Sequence, residues 1–262
     1  MTQPTYRSGL GTSDADTIWL LGQNLADDLL GKVTFGELAY WMAAKRRPTP
    51  GQLTLFEAVL VALADHGFTP TAIAARLTFL SAPDSIQGAI ASGLLGGGSR
   101  FLGVTEDSAN FLHRAIEQLD ELPNDDAGWD AVATELVAST KADGRFVPGL
   151  GHPVHKAGDP RTPVLFALAR EHEVYGPHLA LFEAIGRSHA EILGRSLPLN
   201  GAGVCGAVLA DIELPLAVVR GFALLARCAG LVGQIAEELT DPVASQMYMN
   251  IDRNIDYQPP TG

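Results

Sequence analysis

The sequence predicts an all-α protein built as one large domain, or as a large domain with a smaller one inserted. Three observations carry this prediction. Apolar residues recur at three- and four-residue steps through most of the chain. Helix start signals stand before several of these runs. Alternating, strand-like runs are scarce, with short strands expected only near residues 11–19 and in the last ten residues.

Taken in order, residues 52–66 place Leu53, Phe56, Leu60 and Leu63 on one helical face. Thr69-Pro70 supplies an N-cap with proline at the first helical position, and residues 71–80 follow as a second helix. Its Ala72, Ala74 and Ala75 leave room for a close neighbour. After a break at Ser81-Ala-Pro-Asp84, a third helix is expected over 86–95, ending at three glycines. Residues 110–122 and 129–142 read as amphipathic helices, and Thr162-Pro163 opens another through about His172. The pattern continues over 178–193. Residues 215–239 are apolar on nearly all sides until Glu237-Glu238, which predicts a central, buried helix. Residues 252–262 read as an extended arm, and no internal repeat or heptad seam is present.

The totals bound the function. At 47% hydrophobic and 18% charged, 262 residues can bury a substantial core. A net charge of −12 offers no basic field to attract phosphates, which argues against nucleic-acid binding. Cys205 and Cys228 lie in apolar sequence and are expected as buried thiols in a reducing compartment. The N-terminus lacks an apolar signal core, and no uncharged stretch reaches the roughly 18 residues of a membrane span. The expectation is a cytoplasmic protein with no membrane partner. No Cys/His spacing suits zinc, no metal or nucleotide is implied, and no nucleophile elbow is present.

The polar residues point to a carbonyl acid. The loop Gly149-Leu-Gly-His-Pro-Val-His-Lys-Ala-Gly-Asp-Pro-Arg161 holds His152 in Gly/Pro-rich sequence, with Lys156 four positions on and Arg161 nine positions on. An imidazole so held can donate a hydrogen bond to a carbonyl or alkoxide oxygen, and an arginine can clamp a carboxylate. His66 closes an apolar helix before Gly67, where it serves either as a structural cap or as a ligand-facing imidazole. Arg227 lies in the most apolar helix, so its charge meets either an ion-pair partner or an anionic ligand. Gly93-Leu-Leu-Gly-Gly-Gly-Ser-Arg-Phe101 lacks the strand and the Lys-Ser/Thr of a phosphate loop.

In order, Ala64-Asp-His-Gly67, Gly93-Leu-Leu-x-x-Gly-x-Arg-Phe101, Gly151-His-Pro-Val-His-Lys-x-x-Asp-Pro-Arg161, Asn200-x-x-Gly203 and Ala226-Arg-x-x-Gly230 resemble the citrate synthase superfamily, over roughly residues 50 to 257. The short length and the Gly-Leu-Leu motif look like the citryl-CoA lyase module of ATP-citrate lyase. The resemblance implies an all-α, two-domain homodimer: 1–102 and 199–262 as the large domain, 103–198 as the small one. The active site would lie in the cleft between them, completed by the neighbouring subunit's C-terminal arm.

Residue by residue, the resemblance assigns His66 to hydrogen-bonding oxaloacetate and His152 to polarising its ketone. Arg161 and Arg227 match carboxylate-binding arginines, and Arg253 stands near the arginine lent by the partner. Two positions depart from the family. Gly96 replaces the synthase histidine that stabilises the enolate, which the lyase module also lacks. Ala202 replaces the aspartate that moves the proton at the acyl α-carbon. Both cleavage and condensation need that proton transfer, so Ala202 weakens both equally. His155, read either as an exposed loop histidine or as one turned inward, is one replacement; Asp252 or Asp256 from a partner's arm is another. Lys156 and Arg195 are the basic candidates for coenzyme A, against a reading as solvated surface charge.

The function expected is therefore citryl-CoA lyase-like: retro-aldol cleavage of a 3-hydroxyacyl-CoA to a keto acid and an acyl-CoA, with the CoA thioester as substrate or product and no further cofactor. The alternatives are a condensing citrate synthase-like acyltransferase, and a weakly catalytic paralogue that binds a CoA ester or tricarboxylate.

Overall fold

The computed structural model describes residues 5–260. The chain is helical apart from a small N-terminal sheet. That sheet is an antiparallel meander of β1 (Gly11–Ser13), β2 (Ile18–Leu20) and β3 (Gln23–Asn24), in spatial order β1-β2-β3. Register pairs Thr12 with Trp19, and Trp19 with Asn24. A single π-helical turn, Leu25–Leu29, follows it, capped by the Asn24 side chain. Strands expected near residues 11–19 are therefore present. None forms at the C-terminus up to residue 260, which corrects the expectation of a strand there; residues 261–262 lie outside the described residues.

Eleven α-helices build the rest of the described chain: α1 (Phe35–Ala44), α2 (Pro50–Ala64), α3 (Pro70–Ser81), α4 (Ile86–Leu95), α5 (Val104–Ile116), α6 (Asp126–Ala142), α7 (Arg161–Glu171), α8 (Pro177–Leu193), α9 (Gly201–Asp211), α10 (Val219–Thr240) and α11 (Ala244–Asp252). Their starts follow local chemistry. Thr49 and Gln52 close a capping box on α2, Thr69 accepts from Ala72 N–H at the start of α3, and Asn200 accepts from Gly203 N–H at the start of α9. The helix expected over 110–122 begins earlier and ends earlier, as α5, because Leu119 and Leu122 lie beyond its last turn.

Helices α1 and α11 were not legible in the apolar pattern. Helix α1 is specified by its Thr34 cap, and by buried Tyr40, whose hydroxyl donates to Ile212 O at 2.6 Å. Helix α11 buries only Ala244 and is nucleated by Glu238, whose carboxylate accepts from the N–H groups of Val243 and Ala244.

The buried core is continuous across the segments expected as two domains. It joins Tyr40, Leu55, Phe56 and Phe222 with Leu112, Trp129, Leu165 and Phe182. Tyr40, Phe56 and Phe222 meet edge to face, with centroids 5.8 and 5.0 Å apart. Helix α9 packs along α5, α8 and α2, while α10 packs on α2, α3, α4 and α5. The closest crossing sets the site: a Cβ on Gly230 of α10 would collide with Ala64 O at the end of α2.

Helix α10 departs from the expectation of a helix buried all round. The 25-residue stretch Leu216–Thr240 contains an 18-residue window of mean hydropathy 1.7 and suffices by length and composition to cross a membrane, yet only 33% of that window is buried. Val232 and Leu239 face outward. The opposite face carries Arg227 and Glu238 into the interior. Fully buried Arg76 of α3 reaches that face: it donates to Gln234 and Glu238 at 2.7 Å and pairs with Glu237. Helix α10 is therefore a docking platform with one open side.

Candidate active site

The candidate site is assembled around the C-terminal end of α2. Its last carbonyls have no helical partner and carry the negative end of the helix dipole. Arg161 Nη1 donates to Ala62 O at 3.0 Å, and Arg227 Nη2 donates to Leu63 O at 3.4 Å. Two guanidinium groups from α7 and α10 are thus drawn to one helix terminus. The turn that follows is held by Asp65, which accepts from Gly67 N–H at 2.8 Å and from Gln234 Nε2 at 2.9 Å. Gly67 has φ +70°, the left-handed conformation needed to reverse the chain and turn His66 into the site.

The loop carrying His152 is pinned to the segment before α9. Gly151 N–H donates to Pro198 O at 2.7 Å, and Asn200 N–H donates to Gly149 O at 2.8 Å. The Asn200 side chain caps α9 with its oxygen and donates to Gly151 O with its amide nitrogen. Gly149 and Gly151 adopt φ +87° and +84°; a Cβ on Gly149 would also strike the Phe182 ring at 2.6 Å. These contacts fix where the next residue points.

His152 Nδ1 accepts from Val154 N–H at 3.1 Å and from His155 N–H at 3.0 Å. A neutral ring so engaged carries its proton on Nε2. Burial, followed by repulsion from His155, holds the His152 pKa below its ordinary value, with Asp159 opposing the shift. His152 is therefore a neutral Nε2–H donor. His66 and His155 complete the cluster: ring centroids lie 5.4 Å (His66–His152), 4.4 Å (His152–His155) and 5.3 Å (His66–His155) apart, and Nε2 of His66 is 3.1 Å from Nε2 of His155. His155 is thus turned inward and half-buried rather than exposed.

The two arginines differ in what they already hold. Arg161 donates through Nε and Nη2 to Asp159, at 3.0 and 2.8 Å. The Asp159 side chain is completely buried and also accepts from Gly201 N–H at 2.7 Å. Burial disfavours its charge, but the bonds from Arg161 and Gly201 outweigh this and hold its carboxyl well below the usual carboxylate range. Arg227 forms no ion pair among the described residues, although its whole residue is only 5% exposed. It donates to Thr69 Oγ1 and Thr71 Oγ1 at 3.1 and 3.3 Å, and its buried Nε has no acceptor. Burial lowers its pKa, with Asp65 opposing and Arg161 adding to the shift.

The remaining candidates are dispersed. Lys156 is exposed on the histidine loop. Arg195 lines a cavity of about 300 Å³ together with Lys141, Arg145, Phe146, Val147, Leu150 and Leu197. Arg253 follows α11, is exposed, and takes part in no ion pair among the described residues. Gly96 caps the C-terminus of α4, and Ala202 lies half-buried in the first turn of α9. Sequence reasoning did not assign Asp159, whose role depends on an α9 backbone N–H that no local pattern announces.

The family model for the C-terminal domain of citrate synthase matches residues 22–247. Among solved structures, citryl-CoA lyase from Hydrogenobacter thermophilus is similar over 99% of this chain and 97% of its own, with 27% identity and a TM-score of 0.85. A mutant ATP citrate lyase from Methanosaeta concilii in complex with (3S)-citryl-CoA is similar over 100% of this chain and 43% of its own, at 24% identity and a TM-score of 0.80. Among curated proteins, a probable ATP-citrate synthase of Dictyostelium discoideum is 23% identical over 241 residues, 85% of this chain and 36% of that protein. The chain spans about a third of the length of the curated relatives it matches. With the match running from the N-terminal sheet into α11 and enclosing every residue of the histidine–arginine cluster, the chain belongs to the citrate synthase family.

Proposed function

We propose that the chain is a carbon–carbon lyase that cleaves a branched 3-hydroxyacyl-CoA of the citryl-CoA type into a keto acid such as oxaloacetate and a shorter acyl-CoA. The observation that carries this reading is a neutral imidazole, His152, fixed as an Nε2–H donor, while Arg227, a buried guanidinium with no carboxylate partner among the described residues, converges with Arg161 on the end of α2. Arg227 receives a substrate carboxylate, because an uncompensated buried charge is relieved by an anionic ligand. His152 donates to the substrate oxygen that becomes the ketone. Arg161 keeps its Asp159 partner and contributes position and field. Support for the lyase direction comes from the likeness to the Hydrogenobacter citryl-CoA lyase along nearly the full length of both chains.

The CoA thioester fits the basic-rimmed cavity bearing Arg195, Lys141 and Arg145, with Lys156 at the loop's outer edge. A homodimer belongs to the same proposal: Arg253 lies on an exposed arm able to serve a neighbouring site, and α10 leaves one apolar side uncovered. A second reading, a weakly catalytic binder of a tricarboxylate or CoA ester, is favoured by Ala202, which brings no proton-transfer group to the first turn of α9.

The test incubates the purified protein with citryl-CoA, and separately with acetyl-CoA plus oxaloacetate. Thioester consumption with keto acid release supports the lyase, citrate formation alone supports the condensing enzyme, and binding without turnover supports the third reading. Turnover that survives His152→Ala unchanged refutes the proposed site.

A further inference from the structure

Resting on the lyase reading, we propose that His155 is a catalytic residue which, paired with His66, carries the substrate's hydroxyl proton to the acyl α-carbon. Three observations support it. First, the two rings meet Nε2 to Nε2 at 3.1 Å, so one hydrogen bond, with either ring as donor, joins two nitrogens that come from a helix-terminal turn and a loop 89 residues apart. Second, the pair adjoins the donor ring of His152, at 5.4 and 4.4 Å between centroids. Third, no other titratable group of the cluster suits the task. Asp159 is locked to Arg161 and Gly201, and Asp65 accepts from Gly67 and Gln234. Cys205 is fully buried, which pushes its thiol up to about 12. Arg161 and Arg227 stay protonated throughout. Imidazole is the side chain that both takes up and gives back a proton near neutral pH.

The step balances within the substrate. The pair accepts the proton of the C3 hydroxyl as the C2–C3 bond breaks. That bond's electron pair moves onto C2 of the thioester, and C3 becomes a ketone whose oxygen rests on His152 Nε2–H. The pair then returns the same proton to C2. Nothing is oxidised, and no co-reactant enters. In the condensing direction the same proton runs backwards.

The ligating atoms of His66, His152 and His155 all lie within 4.8 Å of one another, a spacing that also suits a bound metal ion. The tautomer of His152 argues against that use. Its lone pair is on Nδ1, where two backbone N–H groups already occupy it, and its Nε2 is protonated. A metal-bound histidine shows the reverse arrangement, with the free nitrogen donating its hydrogen outward. Two imidazoles remain, fewer than the three protein ligands of a catalytic zinc site.

The test compares wild type with His155→Gln and His66→Gln in two measurements. With citryl-CoA, kcat falls about 10²–10⁴-fold in each variant, while KM and citrate binding stay within threefold in His155→Gln. Wild-type kcat retained within threefold by His155→Gln overturns the proposal. By ¹⁵N NMR without substrate, a scalar coupling across the hydrogen bond joins Nε2 of His66 to Nε2 of His155, and His155→Gln removes it. Absence of that coupling in the wild type overturns the pairing. Absence of wild-type turnover refutes the lyase reading instead, and the pair is then judged on the NMR coupling alone. Dialysis against a chelator leaves kcat unchanged; a loss restored by zinc would replace the proton-carrying pair with a metal site.

Discussion

Replacing Asp159 by Asn tests whether the buried Asp159–Arg161 pair anchors the site. Asp159 accepts four hydrogen bonds: Nε and Nη2 of Arg161, the Arg161 N–H and the Gly201 N–H. An amide of the same shape offers one acceptor oxygen, and its NH₂ must face either the guanidinium fork or Gly201 N–H. Breaking one partner of a buried pair costs about 3–5 kcal/mol. The Arg161 side chain is 22% exposed, so water recovers part of that cost, and the lower end, about 3 kcal/mol, is expected. For a chain of this size, 1 kcal/mol moves the melting temperature by about 2–4 °C, giving a drop of roughly 6–12 °C at pH 7. The pH dependence has a defined sign. Because the folded carboxyl titrates below its ordinary value of 3.8, its contribution is complete above about pH 4 and is lost as the pH falls further. Differential scanning calorimetry of both proteins, at pH 7 and in acid, measures it. A drop below 2 °C at pH 7, or a gap that widens in acid, would refute the assignment of Asp159 as the anchor.

Arg227→Met removes a buried guanidinium with an orphaned Nε, so the ligand-free melting temperature stays level or rises while citrate binding weakens by tenfold or more, about 1.4 kcal/mol, in calorimetric titration. Gly201→Ala drives a methyl group into the Arg161 guanidinium and lowers kcat/KM for cleavage at least tenfold, with the circular dichroism spectrum retained. The His152 ring, whose folded pKa lies below its ordinary 6.5, is neutral at pH 7; its titration by NMR falls below 6.5, and protonation displaces the Val154 and His155 amide signals with it. Because the folded value is depressed, the stability this ring contributes is present above about pH 6.5 and declines below it. In the native protein only the partly accessible Cys228 reacts with a thiol reagent at pH 8, and the fully buried Cys205 joins it after unfolding.

Much of the fold was legible because burial of one helical face leaves a three-and-four spacing that requires no partner to be known. The fourth helix was read at its observed bounds, and α2, α3, α6, α7 and α8 lay within a few residues of theirs. Helices α1 and α11 escaped because cap bonds and a short run of buried side chains, Ala39, Tyr40 and Trp41 in α1 and Ala244 alone in α11, specify them rather than a periodic stripe. The long helix misled for a related reason. An apolar composition reports preference for burial, whereas its actual exposure depends on which faces find neighbours.

The candidate site divides in the same way. His66, His152, Arg161 and Arg227 stand in recognisable short motifs, and their order along the chain carried the resemblance. The sequence by itself determined the helical class, the family and the residues that converge on the end of α2. Only the tertiary structure decided what each of them is free to do. Two backbone N–H groups choose the tautomer of His152, Asp159 occupies one arginine and leaves the other without an ion pair among the described residues, and a contact across 89 residues makes His155 a partner of His66. Hydrogen bonds depend on distance and direction in space, and local periodicity encodes neither.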